Sequence, residues 1–468
     1  MKDVTELKKA IGGGVGTLIS DNLARVGGPV GNGGIGGDTE ENPANPTNPP
    51  GLPARIPEDS CLHDYLTFSR DYLESEDCLI VGSILPVVSA ILARRVWIRF
   101  YGRKYPNLYC MLVTKPGLRK STNIRLAAKV GRELLADNAF IGGASSEQAL
   151  FETYQLNEDR LLIEEEGNTI LADWANSAPG KIVAKRFLTL YDCAGWVQNY
   201  MRMKDGEDGD SLQSIPETST SVLIGTTFGN ARFNGLEVRD GMRRRFNYYV
   251  SEKLARTIYW PPDLDGNEVE DVIDTFRPLV ELEGEMRLTP ESMRLWRDLQ
   301  DRNRADLNSA DGVDAASEAH SSALAEEGSK VLKLGMIFEA CRWAKDRGRD
   351  PRYVQADTLR MAAEHQRHCL DAGQRLDRAA KRGEIRNHAD VVLARVQAEA
   401  KRKGEKGHIR VTKSELTNAF AKNPGRGGGM TPDQLYCEVI PDLIDRGLAA
   451  YGPKKGKMQV FVFLGEGT

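Results

Sequence analysis

The sequence predicts an α/β core built on a mostly parallel sheet, then a helical region, then a small C-terminal unit in winged-helix order. Three observations predict this. Between residues 106 and 265, short apolar runs alternate with helical patterns or polar loops, as strands and crossover helices do when a sheet is covered on both faces. Residues 266–403 are long, charged and helical in period. Residues 408–468 read as strand, helix, helix and β-hairpin.

Bulk composition narrows the class. At 468 residues the chain is too long for one core, so two or three domains are expected. It is 40% hydrophobic and 28% charged, the make-up of an ordinary soluble globular protein. A net charge of −4 excludes a uniformly basic nucleic-acid coat and leaves room for a local basic patch. The seven cysteines are scattered and contain no CxxC, which speaks against a disulfide framework or a zinc site and for a reducing cytoplasm. His365 and His368 stand one helical turn apart, but no Cys or acidic pair completes a ligand set, so they read as solvated helix residues.

The N-terminus, "MKDVTELKKAIGGG", lacks the apolar core of a signal peptide. Residues 1–55 are dense in Gly, Pro and Asn and read as a disordered arm. Residues 56–105 read as a helical segment ending in the run "LIVGSILPVVSAIL" (Leu79–Leu92). That run is shorter than the ~20 residues a bilayer span needs and contains Pro86, so it reads as a buried helix. In the core, "LYCMLV", "AFIG", "RLLIE", "RFLTLYD" and "SVLIGTT" are the expected strands. In 266–403, Val331, Leu334, Ile337, Phe338 and Cys341 recur at helical spacing, and a helical bundle without strand partners is expected. In 408–468, Leu435, Val439 and Leu443 form one stripe, Pro441 interrupts their helix, and the closing hairpin has a basic tip.

"VTKPGLRKST" (residues 113–122) sits between the run "LYCMLV" and the helical pattern "STNIRLAAKVGRELL". A phosphate loop aims backbone N–H groups and a helix N-terminus at phosphates, adds a Lys against the β and γ charges, and holds Mg²⁺ on a Ser or Thr hydroxyl. Against G-x-x-x-x-G-K-[ST], Lys120 and Ser121 take the last two places, while Thr114 and Arg119 stand where the glycines belong. Gly117 lies inside the loop, and Pro116 helps set the turn. The candidate nucleotide-binding residues are therefore Thr114, Lys115, Pro116, Gly117, Leu118, Arg119, Lys120, Ser121 and Thr122. A plain strand-to-helix turn with a solvated Lys120 fits the same letters.

Phosphoryl transfer also needs carboxylates on a neighbouring strand, one to orient Mg²⁺ and one to polarise the attacking water. "RLLIEEEGNTIL" supplies Glu164, Glu165 and Glu166 after an apolar run. Crowded acids repel one another unless a cation or water reaches them, so a solvated acidic turn is the alternative. "SVLIGTTFGN" brings Thr226, Thr227 and Asn230 to the same end of the sheet. "RDGMRRRF" offers Arg243, Arg244 and Arg245, to be read as an arginine finger, a nucleic-acid contact or an exposed basic turn.

Taken in order, "PNLYCMLVTKPGLRKST", "GGASSEQAL", "LLIEEEGN", "FLTLYDCAGW", "SVLIGTTFGN" and "GMRRRFNYYV" resemble the domain of unknown function 3987 family, between Pro57 and Leu370. This is a family of RecA-like P-loop ATPases of phages, prophages and other mobile elements, often beside or fused to primases and regarded as helicase-like. The resemblance implies a RecA-like core that binds ATP and Mg²⁺. It implies that Lys120, Ser121 and Thr122 hold phosphate and metal, with Glu164 as a further magnesium ligand and Glu165 as the catalytic acid. It puts the sensor at Thr226 or Thr227 and an arginine finger or nucleic-acid contact at Arg244 or Arg245; Thr227 and Arg245 are the candidates. It also implies a homo-oligomer, up to a hexameric ring, working with a primase or other replication protein. Thr114 and Arg119 depart from the loop's glycines, and a side chain there restricts the backbone. Nucleotide binding is thus supported more directly than hydrolysis.

For the C-terminal unit, Lys413, Lys454, Lys455 and Lys457 are the candidate DNA phosphate contacts. Asp433, Glu438, Asp442 and Asp445 on the second helix would repel phosphate, so a protein-binding unit is the alternative. The leading expectation is an ATP-driven helicase-like motor on single-stranded DNA or an origin duplex. The second is a DNA-binding initiator or regulator that binds nucleotide with little or no hydrolysis. The third is an ATPase of a defence system.

Overall fold

The apolar run at residues 79–92 lies inside the molecule. In the computed structural model, α1 (Cys61–Tyr72) is followed by α2 (Asp77–Leu92), and every residue of α2 from Cys78 to Leu92 is buried. The structure describes residues 55–142, 146–200, 211–228, 231, 239–259, 267–309, 315–403, 408–421, 430–455 and 458–463. The arm foreseen at 1–55 lies outside them, Arg55 excepted. Among the described residues, one helix is long and apolar enough to cross a membrane, Asp77–Arg95, and 89% of it is buried in the fold. A helix apolar all round needs partners on every side.

The chain continues through β1 (Val96–Arg99) and β2 (Arg103–Lys104) into the core. There it forms β3 (Tyr109–Thr114), α3 (Lys120–Leu134), β4 (Phe140–Ile141), α4 (Glu147–Leu156), β5 (Asp159–Glu164), α5 (Gly167–Asn176) and α6 (Ala178–Tyr191). An antiparallel pair, β6 (Trp196–Tyr200) and β7 (Ser211–Ile215), precedes β8 (Ser219–Thr227), α7 (Arg239–Arg245) and β9 (Phe246–Ser251). Five strands make one wholly parallel sheet in the order β4–β5–β8–β3–β9. Alternate residues of β3 enter opposite cores: Cys110 and Leu112 pack with α2, while Tyr109, Met111 and Val113 pack with α5 and α6.

Four of the five apolar runs fall in strands of this sheet. The fifth, "RFLTLYD", lies in α6, because Val183, Ala184, Phe187, Leu190 and Tyr191 repeat at helical spacing and are all buried. The sheet's fifth strand is instead β9, "FNYYVS".

After the core come α8 (Asn267–Phe276), β10 (Gly284–Leu288), α9 (Pro290–Ser309), α10 (Ala315–Lys345), β11 (Tyr353–Val354) and α11 (Ala356–Lys403). The expected bundle without strand partners is corrected here. β10 pairs in parallel with β1 and with β11, giving a second sheet in the order β11–β10–β1–β2. The expected separation of 56–105, 106–265 and 266–403 is corrected too. One apolar cluster runs through Leu79, Leu112, Ile124, Phe276 and Phe338, and the first compact unit ends at Asp377, inside α11. Val331, Leu334, Ile337, Phe338 and Cys341 are buried as expected, but so are Leu332, Met336 and Ala340, so this stretch is buried all round.

The second unit begins at Arg378. It contains β12 (Ile409–Thr412), α12 (Lys413–Leu416, extended by π-type turns at Thr417–Ala421), α13 (π-type at Gln434–Val439, regular at Ile440–Asp445), β13 (Ala449–Lys455) and β14 (Met458–Phe463). The three strands are antiparallel in the order β12–β14–β13. Thr412 and Glu415 cap α12 reciprocally. Leu435, Val439 and Leu443 are fully buried. Pro441 has no N–H to donate, and the widened turn lies just before it.

His365 is not solvated, contrary to expectation. Gly82 of α2 leaves room for the Tyr249 ring, which an added Cβ would approach to 2.4 Å. The Tyr249 hydroxyl then lies 2.8 Å from His365 Nε2, while His365 Nδ1 lies 3.2 Å from the Arg55 carbonyl. A carbonyl only accepts, so Nδ1 carries the proton and Nε2 accepts from Tyr249. Burial pushes the His365 pKa down from 6.5 to about 3. Between those values only the unfolded chain takes the proton, so stability falls as pH drops. Urea unfolding of wild type and His365→Gln should show slopes differing by about 1.4 kcal/mol per pH unit between roughly pH 5.5 and 4. Equal slopes would show that His365 is not held neutral.

Candidate functional site

The strands β3, β8 and β9 end level with one another, with Thr114 opposite both Thr227 and Ser251. The carboxyl edge of an open parallel sheet is where ligands bind in such folds. From this edge the chain turns through residues 115–119 into α3. Two loop residues are left-handed: Gly117 at φ 86° and Arg119 at φ 59°, ψ 23°. Arg119 thus takes up a glycine's conformation, at a cost of about 1–2 kcal/mol. Its Nε donates to Glu74 Oε2 at 3.0 Å, and its carbonyl accepts from Asn123 Nδ2 at 3.0 Å. Asn123 Nδ2 also donates to Ser75 Oγ at 2.7 Å, so the linker between α1 and α2 braces the loop. Thr114 needs no glycine in its place, because it is the last residue of β3 rather than part of the turn.

Lys120, Ser121 and Thr122 form the first turn of α3, half-buried, and among the described residues their side chains have no hydrogen bond or ion pair. The buried Thr114 hydroxyl likewise has no partner among them. Lys115 reaches away to Glu252, 3.3 Å off, while Pro116 and Gly117 are exposed and Leu118 is half-buried.

The acids do not stand on the neighbouring strand, as expected, but on the next but one. β8 lies between β3 and β5. Two ladder spacings put the acid strand roughly 10 Å from the loop strand. The missing side chain of Gly225, on β8, closes much of that gap. A Cβ there would lie 2.6 Å from Ile124 Cδ1, 2.8 Å from the Glu165 carbonyl oxygen and 3.5 Å from Lys120 Cδ. The stem of Lys120 and the backbone of Glu165 therefore meet over one point of the sheet.

Glu164 ends β5 and accepts from the Glu166 N–H at 3.3 Å. Glu165 is held by Arg125 of α3, whose Nε donates to both carboxylate oxygens at 3.0 Å. Glu166 is exposed. Thr226 donates to Asn168 Oδ1 at 2.7 Å, and Thr227 is half-buried at the end of β8. Asn230 lies outside the described residues.

The arginine assignment is corrected. Arg245 directly precedes β9, whose first residue is level with Tyr109, so it lies at the opposite end of the sheet from the loop. It is 7% exposed, its guanidinium engages Asp192 and donates to the Gly241 carbonyl at 3.1 Å, and it lies over the Tyr191 ring. Held in this way, Arg245 is no exposed basic turn, and it does not reach the loop of its own chain. Arg243 at the same end pairs with Asp377. Reading "FNYYVS" as a strand would have placed these arginines correctly.

In the second unit, Lys413 is exposed at the start of α12, with its Nζ 4.6 Å from the Tyr436 ring centre. Lys454 and Lys455 end β13, and Lys457 lies outside the described residues. Two of the acids expected to repel phosphate have cationic partners: Asp442 pairs with Arg446 at 3.2 Å and Glu438 with Lys381 at 3.0 Å.

Sequence reading missed Glu74, Asn123, Arg125 and Gly225. Their letters are ordinary, and only long-range contact gives them roles. No protein-family model matches the chain, and no curated protein matches it.

Gly225→Ala should lower the unfolding free energy by about 1–3 kcal/mol through overpacking. Adding Ile124→Val, which removes Cδ1, should recover part of the loss in chemical denaturation. Wild-type stability of Gly225→Ala would refute the convergence.

Proposed function

We propose that the chain is a P-loop ATPase with a RecA-like core, and that it acts on DNA as a helicase-like motor in the replication of a phage or mobile element. The observation that carries this reading is the meeting of the Lys120 stem and the Glu165 backbone over Gly225, beside a loop with left-handed residues at 117 and 119. The ammonium of Lys120 and the free N–H groups of α3 bind the phosphates. Ser121 and Glu164 offer hard oxygen donors of the kind Mg²⁺ takes. Bound there, Mg²⁺ would neutralise charge on the β- and γ-phosphate oxygens. The end of β8 brings Thr226 and Thr227 between loop and acids, where a γ-phosphate and its attacking water belong. Glu165 is the base that accepts the water's proton.

For the second unit, the order strand, helix, helix, hairpin supports a winged helix. Lys413, Lys454, Lys455 and Lys457 are its DNA phosphate contacts, giving affinity without sequence choice. The reading includes assembly into a homo-oligomer, up to a hexameric ring, with a primase or other replication protein as partner in the cytoplasm.

One observation favours the second reading, a nucleotide-dependent initiator or regulator with little hydrolysis. Both oxygens of Glu165 are taken by Arg125, which leaves the carboxylate occupied.

ATP turnover with and without single-stranded DNA tests both. The motor predicts DNA-stimulated turnover that Lys120→Ala abolishes together with ATP binding. Glu165→Gln should reduce it by about 10²–10⁴-fold while ATP still binds. ATP binding and assembly without turnover would select the second reading, and a wild-type chain that binds no ATP would sink both.

A further inference from the structure

We propose that Tyr259 is the platform on which the base of the bound nucleotide stacks. This deepens the nucleotide reading of the loop and rests on it. The segment after β9 leaves the sheet at the level of Thr114, beside the phosphate loop. It is fastened there at Glu252, Ala255, Arg256 and Ile258. Glu252 pairs with Lys115 of the loop at 3.3 Å. The N–H groups of Ala255 and Arg256 donate to the Glu74 carbonyl at 2.9 and 3.3 Å. The Arg256 guanidinium donates to Asp77 at 2.9 Å and to the carbonyls of Arg70 and Leu73 at 3.4 Å.

The last tie is the most telling. Glu74 accepts Arg119 Nε on Oε2 at 3.0 Å and the Ile258 N–H on Oε1 at 3.2 Å. One carboxylate thus joins the residue before Lys120 to the residue before Tyr259. A segment held this firmly ends in a ring that touches almost nothing: Tyr259 is 94% exposed. Among the described aromatics only Tyr101 is as exposed, and it lies on the β1–β2 turn of the other sheet. Of the aromatics within the strands of the core sheet, Tyr109, Phe246, Tyr248 and Tyr249 are buried and Phe140 is half-buried.

A nucleobase fits this position chemically. Its faces are flat and apolar, and it is tethered to phosphates that the neighbouring loop would hold. Stacking on an aromatic ring is worth a useful share of affinity and accepts any base, because every base has a π-face. The inferred ligand class is therefore nucleoside triphosphates, with purines ahead of pyrimidines by stacking area and little choice between adenine and guanine.

Calorimetric titration of the full chain with MgATP, MgGTP and magnesium tripolyphosphate tests this. Tyr259→Ala should weaken ATP and GTP at least about five-fold and leave tripolyphosphate unchanged. Tyr259→Phe should bind all three as wild type does, and Lys120→Ala should weaken all three. Unchanged ATP affinity in Tyr259→Ala, or an equal loss for ATP and tripolyphosphate, overturns the base platform and leaves the phosphate loop standing. A wild-type chain that binds neither ATP nor tripolyphosphate overturns both.

Discussion

The absent side chain of Gly225 is the constraint on which the candidate site depends. The loop strand and the acid strand are not neighbours, and β8 holds them apart. A side chain at that position would press on Ile124 and on the backbone of Glu165. Without one, α3 settles low enough on the sheet to bring Lys120 and Glu165 over the same point. The chemistry proposed for this edge needs the loop and the acid turn close together, and a hydrogen atom in place of a methyl group lets the Lys120 stem and the Glu165 backbone carbonyl approach the same point.

Charged groups then hold the pieces in place. Glu74 ties the loop to the segment after β9, and Arg125 ties α3 to the acid turn. The Arg125–Glu165 pair is substantially exposed, with side chains 69% and 33% accessible, so it adds little to stability. Its consequence is positional, because it decides whether the Glu165 carboxylate is available. At the opposite end of the sheet the cations are buried instead. Lys330 donates to the Phe246 carbonyl at 2.7 Å and Lys333 to Asn107 Oδ1 at 2.9 Å, and burial lowers the pKa of each to about 8. Arg245 belongs to this buried set. The two ends of one sheet thus differ in kind: at one, Lys120, Ser121 and Thr122 have no side-chain partner among the described residues, and at the other the cations are buried and hydrogen-bonded.

The first unit is large because α2 requires it. A helix buried from Cys78 to Leu92 is covered by the core sheet and α3 on one side and by elements from beyond the core on the other. Residues 56–105 and 266–377 share a sheet and an apolar core as a result. The loop at 115–119 inherits its braces from this arrangement, since Glu74 and Ser75 lie on the linker leading into α2.

Elements with a local signal are legible in the chain alone: the buried runs of β3, β5 and β8, the loop-to-helix turn at Lys120, the burial of α2 and the stripe of α13. Lys120, Ser121, Glu164 and Glu165 also stand out in the sequence by type and spacing, and the fold brings their two segments to one edge of the sheet. Where a run satisfied two periods at once, as "RFLTLYD" did, the wrong one was legible until the buried positions of α6 were seen. Which strands are neighbours, at which end of the sheet Arg245 lies, and that the helical region supplies β10 and β11 are visible only in the folded chain. Those facts depend on residues far apart in the chain. Sheet order and long-range packing are set by the closing of the whole core, and no single stretch of sequence records them.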